Sequence, residues 1–284
     1  MFVRASLLSA AASSMLMTSG CGSTLAAPSS AAPAASERLV FADEFDAPTL
    51  DRSKWNVIGP DFWVNQEQQA YVDSPDTIRF LPAGRVKGAS GGVLLLQPKF
   101  QQGFQTPTGR KADFVSGRIS TQGKFDFTYG RAVARIRMPA ATGVWPAFWL
   151  LPQSNVFGGW PRSGEIDLME MVGHEPNKVY GTLHYGPGPG STQISRSYTL
   201  PSGTFNDAFH VFSIEWQTDV IKWYIDGNLF STAAKSDFGG NTYPFNEDFY
   251  LIFNLAVGGN WPGNPDASTR FPQYLVVDYV RVFK

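Results

Sequence analysis

Gly164-Glu165-Ile166-Asp167-Leu168-Met169-Glu170 decides how this chain is read, because three carboxylates fall within six residues of an otherwise β-rich sequence. Side chains of a regular strand alternate faces, so Glu165 and Asp167 would share one face and Glu170 would point to the other. One inserted residue, a β-bulge around Leu168-Met169, returns Glu170 to the face of the first two. At about 3.3 Å per residue the two glutamate Cα atoms are then roughly 13 Å apart. Inward-leaning side chains bring the carboxyls to around 5–6 Å, the separation at which one carboxylate attacks a sugar while the other protonates the leaving oxygen. An exposed acidic patch or a calcium site would give a similar acidic run. The neighbouring Gly143-Val144-Trp145-Pro146-Ala147-Phe148-Trp149-Leu150-Leu151 and Gly159-Trp160-Pro161 favour a carbohydrate cleft. Three like charges on one face repel unless function or a bound cation retains them.

Composition bounds the alternatives. The 284 residues include 8 Trp, 10 Tyr and 22 Phe, an aromatic load that suits strands and stacking surfaces. Lys and Arg total 23 against 24 acids, so neither a nucleic-acid footprint nor an acidic field is present, and a neutral ligand is expected. Three scattered histidines and one cysteine, Cys21, give no zinc-ligand spacing.

The first residues differ from the rest. Arg4 precedes an apolar run from Ala5 to Met17, too short to span a bilayer and suited to the core of an export signal. Thr18-Ser19-Gly20-Cys21 resembles a bacterial lipoprotein cleavage site, with Cys21 as the lipidated residue; the other reading is an ordinary signal cut near Ala26 or Ala27. Residues 22–37, rich in Ala, Ser and Pro, read as a tether, and 38–284 as one catalytic domain. The localisation expected is the bacterial cell envelope or the extracellular medium, with membrane contact only through the lipid.

Short strands separated by Gly, Pro, Asn and Asp fill the remainder. They are expected at 39–41, 92–97, 117–121, 130–138, 211–216, 221–228, 250–255 and 274–283, with Asp226-Gly227-Asn228 as a turn. In 130–138, Ala132, Ala134, Ile136 and Met138 mark one face. Trp149, Trp216 and Trp223 lie in apolar runs and are expected in the core, whereas Trp145, Trp160 and Trp261 neighbour Gly, Pro or Asn and are expected in loops. The pattern predicts an all-β sandwich of two antiparallel sheets, with no second domain.

The acidic run, with Trp160-Pro161 and Gly164 before it, resembles the signature of glycoside hydrolase family 16 in its longer, bulge-containing laminarinase form. The resemblance extends through Phe41-Ala42-Asp43-Glu44-Phe45-Asp46, Asn65-Gln66-Glu67-Gln68-Gln69-Ala70-Tyr71, Gly181-Thr182-Leu183-His184-Tyr185, Asn254 through Gly263 and Val277 through Val282. It implies a β-jelly-roll of two curved, concanavalin A-like sheets and a retaining endo-β-1,3-glucanase acting as a monomer on a neutral β-glucan without a catalytic cofactor. Glu165 would be the nucleophile, Glu170 the acid/base, Asp167 the assisting carboxylate and His184 a further polar helper. Asn65, Glu67 and Arg118 would bind sugar hydroxyls, and Trp145, Trp160 and Trp261 would stack on sugar rings. Glu44, Asp278 and a carbonyl near Gly92 would hold a structural Ca²⁺. The 254–263 segment resembles laminarinases more than agarases or carrageenases. Related β-1,3-1,4-glucanases, agarases, transglycosylases and non-catalytic glucan-binding proteins remain alternatives.

Overall fold

In the computed structural model, residues 37–188 and 192–284 are described, and 37–284 form one compact unit. Cys21 and the proposed signal and tether, up to residue 36, lie outside the described residues. The alternation of apolar and polar positions produces two antiparallel sheets packed face to face. One runs in the order Thr192–Thr199, Lys178–Tyr185, Glu165–Glu170, Val144–Pro152, Phe249–Val257, Arg118–Ser120 and Asn56–Val57. The other runs Asn228–Ala234, Val220–Ile225, His210–Gln217, Gly130–Arg137, Leu275–Phe283, Val93–Leu96 and Ile78–Leu81, with Leu39–Asp43 also on Leu275–Phe283. This is the jelly-roll sandwich the sequence predicts. A smaller sheet of Gln69–Tyr71, Lys111–Ser116 and Lys99–Gln105 stands beside it. The one helical element described is a 3₁₀ turn, Lys235–Phe238.

The core lies between the large sheets, and the expected face of 130–138 reaches it: Ala132, Ala134, Ile136 and Met138 are fully buried. Phe148 pairs directly with Phe253 on the neighbouring strand, and their rings stack at 4.4 Å and 9°. That apolar cross-strand pair anchors the register on the core side. It thereby sets Ala147 opposite Asn254 on the other face, the face of the acidic strand.

The bulge forms where the sequence predicts it. Asp167 pairs with Thr182 and Glu170 with Tyr180, so three steps on one strand match two on the next. On the other side Met169 faces Phe148 and Asp167 faces Trp149, which identifies Leu168 as the extra residue. Burying Ile166, Leu168 and Met169 in the core leaves Glu165, Asp167 and Glu170 together on the opposite face. Trp223 secures the bulge from the core, its indole N–H donating to the Asp167 carbonyl at 2.8 Å. Gly181 makes room for that indole, since a Cβ there would fall 2.6 Å from Trp223 Cδ1. We therefore expect Gly181→Ala to destabilise the fold by about 1–3 kcal/mol, the usual range for overpacking. Denaturant unfolding would measure it, and an unchanged midpoint and slope would show that the indole can move without penalty.

Candidate active site

The acidic strand carries its three carboxyls on a half-closed surface: Glu165 and Glu170 are partly exposed, whereas Asp167 is 1 % exposed. Each glutamate receives an indole N–H. Trp160 donates to Glu165 Oε2 at 2.8 Å and Trp145 donates to Glu170 Oε1 at 3.0 Å. His184, opposite Glu165 in the ladder, places Nε2 at 3.8 Å from Glu165 Oε1 and 3.3 Å from Asp167 Oδ2. The Asp167 Oδ2 atom is buried and accepts no hydrogen bond. Ligand atoms of Glu165, Asp167 and His184 lie within 4.8 Å of one another, close enough to hold a cation as well.

Burial dominates the electrostatics. It pushes Glu165 up to about 8, with the charge of Asp167 adding to the rise and His184, Trp160 and Arg118 opposing it. Burial also lifts Asp167 and Glu170 well above the ordinary carboxylate range; Asp167 and Glu165 raise Glu170 further. Three such groups in one low-dielectric row resist simultaneous ionisation, so the site retains protons near neutral pH. A row that keeps one acid protonated beside another able to ionise can combine proton donation with nucleophilic attack.

A polar floor continues across the neighbouring strands. Arg118, 4 % exposed, lies opposite Asn254 in the ladder and stacks against Phe62 at 4.1 Å and Trp149 at 4.7 Å. Trp149 N–H donates to Asn254 Oδ1 at 2.6 Å, and the Asn254 amide donates to Tyr71 Oη at 3.2 Å. Glu67 accepts from Asn65 at 3.2 Å and from Gln69 at 2.6 Å, and burial raises its pKa. On the Glu170 side, Trp261 meets Trp145 edge-on at 5.2 Å and Tyr180 at 5.1 Å. Tyr180 is held in turn by donating to Glu175 at 2.9 Å.

Trp145, Trp160 and His184 therefore flank the carboxyls, Trp261 joins them through Trp145, and Asn65, Glu67 and Arg118 assemble in the floor. Trp216 and Trp223 are buried as expected; Trp145 lies in the Val144–Pro152 strand rather than in a loop, and Trp149 is a second correction. It is half-buried on the face of Asp167, to which it is paired in the ladder. Its period-2 spacing from Trp145 carried that signal, masked by the apolar run around it. Tyr180 and Phe62 had no comparable signal, because their importance comes from contacts across strands and loops.

The residues expected at a calcium site, Glu44, Gly92 and Asp278, are hydrogen-bonded within the protein. The Glu44 carboxylate closes on Arg281 through two 2.8 Å bonds. Asp278, 1 % exposed, accepts from Ser90 N and Oγ, each at 2.8 Å, and from Arg135 at 2.5 Å. Gly92 N–H donates to Asp46 at 2.6 Å. Both carboxylates therefore face a guanidinium.

Fold, bulge and paired carboxyls define a glycosidase-type site. The family model for glycosyl hydrolases family 16 matches residues 91–280, and the chain belongs to that family. It is 39 % identical to glucan endo-1,3-beta-glucosidase A1 of Niallia circulans, covering 87 % of this chain and 38 % of that one. It is 37 % identical to the beta-glucanase of Rhodothermus marinus, covering 87 % of this chain and 85 % of the relative. The catalytic domain of an endo-1,3-beta-glucanase (laminarinase) from Thermotoga petrophila RKU-1 superposes with a TM-score of 0.79 at 37 % identity, covering 88 % of this chain and 98 % of that one.

The raised Glu165 carboxyl links the site to stability. Its pKa is near 4.5 when unperturbed and about 8 here, so the folded state binds the extra proton between those values. The stabilisation is complete below about pH 4.5 and is lost as pH rises through 8. We expect Glu165→Gln, which cannot ionise, to gain thermal stability relative to the parent across that window. Calorimetry from pH 4.5 to 8 checks it, and parallel curves for the two proteins would contradict it.

Proposed function

We propose that the chain is a retaining endo-β-1,3-glucanase acting on laminarin-like glucans. The observation that carries this reading is the Leu168 bulge, which sets Glu165 and Glu170 on one face with an indole donor on each. Glu165 attacks the anomeric carbon, and Glu170 gives its proton to the departing glycosidic oxygen. Trp160 N–H stabilises the ionised Glu165, and Asp167 and His184 orient it. Once Glu165 is esterified, its negative charge is gone, and Glu170 ionises more readily. Glu170 then takes a proton from water, which attacks the same carbon and releases Glu165. Arg118, Asn65 and Glu67 offer donors and acceptors to sugar hydroxyls, while Trp145 and Trp261 present rings beside Glu170.

The β-1,3-glucan preference is supported by similarity to the endo-1,3-beta-glucosidase of Niallia circulans and the laminarinase of Thermotoga petrophila. The near-neutral net charge of -1 also argues against sulfated galactans, which would favour basic subsites. Laminarin, lichenan and agarose compared at equal concentration test the substrate. Laminarin should be cleaved fastest, and cleavage of agarose alone would overturn the reading. Glu165→Gln and Glu170→Gln should each lose on the order of 10³-fold or more in kcat while still binding glucan. Variants as fast as the parent would remove both residues from the mechanism.

The export reading adds that the domain acts outside the cytoplasm of a bacterium, held by a lipid on Cys21 and working as a monomer. It is supported by Arg4, the apolar run to Met17 and Thr18-Ser19-Gly20-Cys21. Cys21→Ser should shift the protein out of the membrane fraction or block its maturation. A mature chain starting at residue 27 or 28 would exclude the anchor.

A further inference from the structure

Phe62 and Trp63 are consecutive on one loop but serve different surroundings. Phe62 lies on Arg118 and closes the polar floor of the active site. Trp63 is 42 % exposed and has the Arg110 guanidinium 5.8 Å from its ring centre. A single exposed aromatic ring is ordinary. This one is locked, because its indole N–H donates to the Glu67 carbonyl at 2.7 Å. Arg110 is locked as well, donating to the carbonyls of Pro60 and Gln69, each at 3.1 Å.

Both line a cavity of about 270 Å³, together with Gln68, Lys111 and Asp113. Pockets for drug-sized ligands measure about 300–1,000 Å³, so this one suits a single ring. Asp113 and Glu67 offset Arg110 and Lys111, which makes the lining nearly neutral while leaving donors and acceptors at its edge. A flat ring beside hydroxyl-binding groups matches the apolar face and polar rim of a pyranose.

Glu67 joins this cavity to the catalytic face. Its side chain is fixed in the polar floor by Asn65 and Gln69, and its carbonyl anchors Trp63. Neighbouring Cα atoms are 3.8 Å apart, so the two aromatic rings begin one residue from each other on a shared loop.

We propose that the Trp63–Arg110 cavity is an outlying glucan subsite, which holds a sugar unit of the same chain several residues from the bond being cut. The sugar stacks on Trp63, and its hydroxyls bond to Arg110 and Asp113. Long chains reach this cavity, and short ones end before it. The proposal rests on the β-glucan reading above.

The test compares kcat/KM on polymeric laminarin and on a β-1,3-linked trisaccharide for the parent, Trp63→Ala and Trp63→Phe. Trp63→Ala should lower the polymer-to-trisaccharide ratio by about three- to tenfold, the effect of one stacked ring, mainly through KM. Trp63→Phe, which keeps a stacking face, should recover most of that ratio. An unchanged ratio in Trp63→Ala, or Phe behaving as Ala, would overturn the subsite while the parent still cleaved laminarin. A parent that cleaved neither glucan would overturn the substrate reading and this proposal with it.

Discussion

Crowding of three carboxyls by a single extra residue is the constraint on which the site depends. Leu168 is spent on the core, and its insertion is what turns Met169 inward and keeps Glu170 on the outer face. A regular strand would bury Glu170 in the apolar core, where an unpaired carboxylate is costly. The arrangement instead collects the cost on one face and converts it into raised proton affinity. Glu165 at about 8 and the raised Glu170 and Asp167 are consequences of that geometry. The indole donors of Trp145 and Trp160 partly offset it, one on each glutamate.

Support for the bulge comes from the core and from both neighbouring strands. Trp223 reaches from the opposing sheet to bond the Asp167 carbonyl, and Gly181 leaves the space it needs. The Phe148–Phe253 stack fixes the adjacent register, so Asn254 and Trp149 reach the catalytic face at defined positions. Core packing and site geometry are thus coupled through the backbone of the Glu165–Glu170 strand. Local like-charge strain of this kind is common at catalytic sites and is balanced by packing elsewhere.

Much of this was legible in the sequence, for physical reasons. Strand alternation in 130–138 predicted the core face, and the Asp226-Gly227 pair predicted its turn; both residues take positive φ, 51° and 79°. The spacing of Glu165, Asp167 and Glu170 required a bulge, which forms at Leu168. The floor was less legible. Trp149 was hidden in an apolar run, and Tyr180 and Phe62 matter through neighbours distant in the chain. The partners of Glu44 and Asp278 are not legible either, because Arg281 and Arg135 reach them from distant parts of the chain. Long-range ion pairing is a tertiary property, and single-residue patterns do not encode it.

The central claim is that the bulge places Glu165 and Glu170 for double displacement rather than leaving room for a water between them. Carboxyls about 5–5.5 Å apart retain anomeric configuration, whereas about 6.5–9.5 Å inverts it. Proton NMR of the reducing end formed in the first minutes of laminarin cleavage, before mutarotation, tests this most directly. The account predicts the β-anomer as the first product, and an initial α-anomer would contradict it.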